Sequence, residues 1–356
     1  MKQQNKVGVI MLLKNKTIEE LLDMEEELHL AKEEEKDGTF ALLIAVYEML
    51  FEKVSKDKDS EYAPSLPKIK GKLISYLVQY GTYLKTVFRK DDNAAGSCLK
   101  KAVRLERNLP IAYYRLGFLD YKRKSYTTAL LHFQKAIRFQ HSGNSIEYGM
   151  NDQQIYNCHL YLANCGLFIA KDAQESLEKL DLNVSLEMVP SYEISPFYQL
   201  INENSQYLEN HAYRIMTNKG NHYCSREECE VVWDTPNTLI LDFTKRENLL
   251  IFNGKETLLT KNQGEMLRYF LINSEENPAT KHDFYHLFSR ADDNGEIPTN
   301  TYTQNIIRLR TKLTRLGIVE PVIENKTGIR ETAYFYNHRY PYLIMHRSDE
   351  PFILSE

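Results

Sequence analysis

The sequence predicts a mainly α chain: an N-terminal array of α-helical hairpins, then a C-terminal α+β module of short strands, helices and a β-hairpin. Three observations predict it. Before residue 205 the pattern is overwhelmingly helical, with long charged stretches such as residues 18–36 and few strand-like alternations. From about residue 237 apolar and polar residues alternate around Lys245-Arg246-Glu247-Asn248 and Asn253-Gly254, as short antiparallel strands do. Residues 301–316, TYTQNIIRLRTKLTRL, then combine an apolar stripe with a polar, basic face.

Taken in chain order, the first 60 residues read as helical without a repeat signature. Residues 112–139, AYYRLGFLDYKRKSYTTALLHFQKAIRF, are more specific. Their order of aromatic, Leu116-Gly117, Tyr126, Ala129, Phe133 and Ala136 resembles the tetratricopeptide repeat. The small residues Gly117 and Ala129 let two antiparallel helices approach, while Tyr126, Phe133 and Ala136 fill the layer against the next pair. A lone hairpin cannot bury its faces, so neighbours are required. Tyr80-Gly81, Ala95, Leu99 and Ala102 supply a weaker match before it. Leu162-Ala163, Gly166, Ala173 and Leu177 supply another after it, with a shortened turn. The array is accordingly placed at residues 1–215, with its clearest repeat at 110–140.

The resemblance implies a curved array whose inner surface comes from the first helix of each pair. In the clear repeat that surface carries Ile111 and the candidate partner-binding groove of Tyr114, Phe118, Tyr121 and Lys122. Aromatic rings with one ammonium suit a peptide or protein segment. The reading in which the rings only pack against the adjacent repeat stays open beside it. The Asn and Lys pattern of carboxylate-clamp repeats is missing, so capture of an acidic C-terminal peptide is not expected.

Residues 216–236 read as a linker. Within it His222, Cys224 and Cys229 would supply three soft ligands, but structural zinc normally takes a fourth and the paired short Cys spacings are absent. His282 and His286 are spaced i, i+4 without the glutamate of a helix metal motif. No metal and no cofactor is expected. No glycine-rich phosphate loop or Ser, His and Asp nucleophile arrangement appears, so an enzyme is not expected either.

Residues 237–338 form the next module. Thr260 and Gln263 have the spacing of a capping box and start a helix that turns Met266, Leu267, Phe270 and Leu271 toward a core. A second helix is expected at 281–288. In 301–316, Ile306, Leu309, Leu313 and Leu316 form the apolar stripe, opposite Thr301, Gln304, Arg308, Thr311 and Arg315, with Arg310 and Lys312 on the shoulders. A hairpin follows at Val322-Ile323 and 332–336, with Lys326 and Arg330 near its tip. At this point the chain resembles the OmpR/PhoB-type winged-helix DNA-binding family, over about residues 237–337 and most closely at LTKNQGEMLRYF (259–270) and TYTQNIIRLRTKL (301–313).

The resemblance implies that the third helix enters the major groove of double-stranded DNA and the hairpin the adjacent minor groove. Thr303 and Gln304 would then face bases, Asn305 and Arg310 phosphates, and Arg308 either. Thr301, Lys312, Arg315, Lys326 and Arg330 complete the candidate DNA-binding set. Three departures stand out: Ile307 where the family commonly has a second base, which suits contact with a thymine methyl or a surface recruited for protein; a longer hairpin turn; and Ala333 in place of a glycine. The loop at 290–298 carries Asp292, Asp293 and Glu296; in the family this loop can meet RNA polymerase, a further candidate partner.

Composition sets the outer bounds. The chain has 356 residues, 42% hydrophobic and 26% charged, enough for two or three units with real cores. Its five scattered cysteines fit a reducing compartment, and it has neither a long apolar run nor a signal-peptide pattern, so a cytoplasmic protein that does not engage a membrane is expected. A formal charge of −4, with equal numbers of acidic and basic residues in 237–338, excludes a generally basic, histone-like mode. Modest affinity per copy would favour a homodimer reading two half-sites. Residues 339–356, with Tyr340, Tyr342, Leu343, Ile344 and Phe352, are too apolar for a free tail and are expected to dock on the array or on a second subunit. The functional expectation is a bacterial transcriptional regulator whose array senses a peptide or protein or mediates oligomerisation. The alternative is an adaptor whose winged helix binds protein; a kinase-binding or phosphatase-like repeat protein rests on the array alone.

Overall fold

The computed structural model describes residues 13–33, 39–57, 59–86, 91–141, 148–179, 196–245, 247–273, 275–287, 299–326 and 332–349. The chain is mainly helical with a small mixed sheet toward its C-terminal part, and it divides into two compact units. One comprises residues 1–32 and 36–208, the other residues 33–35 and 209–356.

The first unit contains all but the last residue of α1 (Ile18–Glu33), α2 (Thr39–Lys56), α3 (Leu66–Thr86), α4 (Asp92–Leu105), α5 (Pro110–Lys122), α6 (Tyr126–His141), α7 (Asp152–Glu178) and most of α8 (Pro196–Asn210). From α2 to α7 each helix packs on the next. Local chemistry sets several of the ends. Asp91 accepts from the Ala94 N–H at 2.9 Å and caps α4, and Pro110 occupies the first turn of α5, where its missing N–H costs nothing. Lys124 takes a left-handed φ of 60° in the turn between α5 and α6.

Close approach within two hairpins depends on glycine. A Cβ on Gly117 would lie 2.7 Å from the Phe133 ring, and one on Gly81 would lie 2.9 Å from Leu99 Cγ. Ala95, Leu99, Ala102, Ala129, Phe133 and Ala136 are all fully buried in the same core. The match after residue 160 has no such counterpart. Residues 152–178 are one continuous helix with no turn, Ala163 is exposed, and a Cβ on Gly166 would meet nothing within 4 Å. The small residues at 163 and 166 therefore serve no helix contact.

The second unit is built on a six-stranded sheet of β1 (Tyr213–Thr217), β2 (Gly220–Cys224), β3 (Leu239–Asp242), β4 (Asn248–Phe252), β5 (Lys255–Leu259) and β8 (Tyr342–Arg347), in the order β2-β1-β8-β3-β4-β5. All neighbours are antiparallel except β3 and β8, which run parallel with Leu239 opposite Tyr342 and Asp242 opposite Met345. Period-two alternation divides the strands between two cores. Leu239, Leu241, Leu250, Phe252 and Ile344 face one layer; Ile215, Ile240, Leu249, Ile251 and Met345 face the other. The first layer is covered by α10 (Lys261–Ile272), a 3-10 helix (Lys281–Leu287), α11 (Thr299–Arg315) and the hairpin of β6 (Ile323–Asn325) and β7 (Tyr334–Tyr336). The second is covered by the short α9 (Arg226–Val231) and the 3-10 turn Val232–Asp234 with Trp233.

Two sequence expectations are corrected here. The expected linker at 216–236 holds the end of β1, all of β2, α9 and the turn at Val232–Asp234, and the array gives way at residue 208 rather than 215. The apolar signal was missing because β2 is an edge strand that buries only Cys224, held by main-chain pairing to β1. The expected docking extension also goes elsewhere: residues 342–347 are β8, inserted between β1 and β3, and Ser348 N–H donates to Ala212 O at 3.1 Å. Its apolar residues fill both faces of the sheet within its own unit. Phe352 lies outside the described residues.

Candidate nucleic-acid interface

The β4–β5 turn shows how local sequence sets up the site. Asn253 and Gly254 both take positive φ, 49° and 76°, as a tight two-residue hairpin turn demands. β5 then delivers the chain to Thr260. There the Gln263 N–H donates to Thr260 Oγ1 at 3.2 Å and the Thr260 N–H to Gln263 Oε1 at 3.1 Å, a reciprocal cap that starts α10. The connection after α10 is stitched to the hairpin: Ala279 and Tyr334 exchange main-chain hydrogen bonds at 2.8 and 2.9 Å. The expected second helix is a 3-10 segment, with Phe284 wedged between Phe270 and Tyr302 at centroid distances of 5.5 and 5.6 Å.

On this base α11 is fixed by one face. Ile306, Leu309, Leu313 and Leu316 are buried as the stripe predicts, and Tyr302, which sequence reading passed over, is buried with them. The Tyr302 hydroxyl donates to Ala279 O at 2.7 Å, and burial pushes its pKa up. The polar residue types around it concealed a core aromatic; its position four residues before Ile306 was the available signal.

The candidate DNA-binding residues divide into two groups. Arg310 is half-buried, donates from Nε and NH2 to Ile323 O at 3.0 and 2.6 Å, and lies 5.2 Å from the Tyr334 ring centroid. Lys312 donates to Leu258 O at the end of β5. Lys326 pairs with Glu275 at 2.9 Å and lies 5.6 Å from the Phe335 ring centroid. Asn305 donates to Thr301 O within its own helix at 2.9 Å. The cations in this group hold the hairpin, β5 and the loop after α10 around the helix.

The second group faces outward. Gln304, Arg308 and Arg315 are exposed on one arc with Thr311, whose hydroxyl donates to Ile307 O at 2.9 Å. Thr301 and Thr303 are half-buried at the arc's start, and Ile307 lies on it, 47% exposed. No acidic residue occurs in α11. The other candidates, Arg330 and the acidic residues Asp292, Asp293 and Glu296, lie outside the described residues.

The candidate groove on the array is corrected. Tyr114 is buried and faces Phe133, with ring centroids 6.2 Å apart. Phe118 meets Tyr161 edge-on at 5.7 Å, and Tyr121 meets Tyr161, Tyr126 and Phe168, with its hydroxyl accepting from Asn164 Nδ2 at 3.4 Å. Lys122 is committed to Asp92 at 2.7 Å. The aromatic face predicted for a partner is thus covered by α7, because that long helix lies across it. Nearby, Asp120 and His132 Nδ1 form a partly buried contact at 2.9 Å, and desolvation holds the imidazole pKa below its usual range despite that carboxylate.

Cys224 and Cys229 bring their Sγ atoms within 3.2 Å in the second core layer, where burial raises both thiol pKa values. Among the described residues, no three His, Cys, Asp or Glu side chains converge as a metal site would need. Among them, too, no helix is long and apolar enough to cross a membrane. Compared with known protein families, curated proteins and solved structures, the chain matches none.

Proposed function

We propose that this chain is a transcriptional regulator that reads double-stranded DNA through a C-terminal winged helix, with α11 as the recognition helix and β6–β7 as the wing. The observation that carries this reading is the division of labour on α11. Its apolar face and shoulder cations are spent inside the unit, while Gln304, Arg308, Thr311 and Arg315 form an outward arc free of acids. Gln304 can pair bidentately with adenine and Arg308 with guanine, and Arg315 lies about two turns beyond Arg308 for a phosphate. The tied cations have a different role from the one sequence alone assigned: Arg310, Lys312 and Lys326 hold the arc and the wing in register. The N-terminal helical unit is assigned to a peptide or protein partner or to self-association, away from the residues buried by α7. The regulator acts in the cytoplasm, and two copies would double the few cations each arc offers.

DNA binding by the full chain to genomic fragments should weaken steeply as salt rises, because released counterions drive it. Arg308→Ala should cost about 1–3 kcal/mol of that binding, roughly fivefold to 150-fold, and leave folding unchanged. Salt-insensitive retention of fragments that Arg308→Ala does not alter would refute the reading.

A second reading has one specific observation in its favour. So many of the unit's bases are engaged internally that the remaining surface could serve an adaptor that binds protein. An adaptor would show neither the salt dependence nor the Arg308 effect.

A further inference from the structure

Ile307 is the side chain that the DNA-reading arc does not explain. It is 47% exposed, an apolar residue between Gln304 and Arg308 on one side and Thr311 on the next turn, on a helix whose other large apolar residues between 302 and 316 are buried. Leaving an isoleucine half in water on a polar face forgoes apolar burial that a partner could restore. In a major groove the apolar group available for it is the C5-methyl of thymine.

We infer that Ile307 is a specificity-determining residue that selects thymine in the operator by packing on that methyl group; this rests on the DNA-reading role proposed for α11. Helix geometry bounds where the thymine lies. Residues 304 and 307 are separated by roughly 4.5 Å along the helix axis at ~1.5 Å per residue. Base pairs follow at about 3.4 Å, so the thymine falls within one or two base pairs of the base read by Gln304. Thr311, one turn on, has its hydroxyl returned to Ile307 O, which leaves its own methyl free to extend the apolar contact.

The test is selection of bound sequences from a random duplex pool by the full chain, followed by replacement of each selected thymine with deoxyuridine, which deletes the methyl alone. One position is expected where that replacement costs wild type about fourfold in affinity, the worth of one buried methyl group. There Ile307→Ala should lose most of the discrimination and Ile307→Val should keep it. Enrichment of sequences without a sensitive thymine, or sensitivity that persists in Ile307→Ala, would overturn the inference while leaving DNA reading intact. Failure to enrich any sequence, with no salt-dependent binding, would overturn the DNA-reading role and this inference with it.

Discussion

Arg308 and Arg310 are two residues apart on one helix, yet Arg308 is exposed and Arg310 is tied to its own unit. Arg310 is bound through two N–H groups to the Ile323 carbonyl, so Arg310→Ala should destabilise the C-terminal unit by about 1–2 kcal/mol, since a buried acceptor loses a charged donor. Arg308→Ala should shift stability by no more than about 0.5 kcal/mol, as exposed positions usually do. Urea unfolding of both variants checks this, and equal losses would contradict the assignment. The distinction was not legible in the sequence. The stripe and the outward arc follow from 100° periodicity, but the acceptors for Arg310 and Lys312 are main-chain carbonyls of Ile323 and Leu258, supplied by strands distant in sequence and carrying no side-chain signal. His346 belongs to the same scale. Burial, with help from Arg214 and Arg268, lowers its pKa from 6.5 to about 4. The folded unit therefore keeps this imidazole neutral while the unfolded chain protonates it. The stability contributed is complete above about pH 6.5 and is lost as pH falls toward 4, by up to ~3 kcal/mol. Unfolding followed against pH should show that slope, and His346→Gln should flatten it.

Between elements, close approach rather than sequence pattern decides which repeat-like positions matter. Gly117 and Gly166 are both helical glycines in positions the repeat pattern singled out, but only Gly117 has a ring 2.7 Å from where a Cβ would stand. Gly117→Ala should destabilise the N-terminal unit by about 1–3 kcal/mol through overpacking against Phe133. Gly166→Ala, facing open space in the middle of α7, should be neutral or gain up to about 1 kcal/mol in helix propensity. Thermal melts of the two variants should therefore move in opposite directions or differ clearly in size. The hairpin of α5 and α6 was legible because its small residues recur at fixed offsets. The unbroken α7 was not: Leu162, Ala163 and Gly166 mimic those offsets, and nothing in their types reveals that the chain continues straight. The same continuity explains why the aromatic groove failed as a site, since Tyr161 of α7 packs on Phe118, Tyr121 and Phe133.

At the scale of the whole molecule, the strands before residue 237 and after residue 338 escaped the sequence reading for one shared reason. β8 is held between β1 and β3, and β1 between β2 and β8, with β8's register set by partners far away in sequence: Tyr213 lies opposite Arg347, and Leu239 opposite Tyr342. Short apolar segments whose partners lie elsewhere look like a linker and a tail. Ending the chain after Pro341 should leave the N-terminal helices intact, remove the strand between β1 and β3, and expose residues 213–259 to limited proteolysis. A protease pattern unchanged from the full chain would contradict this. The insertion of β8 also sets an order of events in time. The end of β3 and the start of β8 are 100 residues apart, from Asp242 to Tyr342, which takes roughly 5–20 s to synthesise at ~5–20 residues per second. Throughout that interval β3 lacks one of its sheet neighbours and β1 has none but β2, so the nascent chain carries two unpaired strand edges. The sheet of the C-terminal unit is thus completed late, when β8 closes two strand edges that could otherwise pair with those of neighbouring chains.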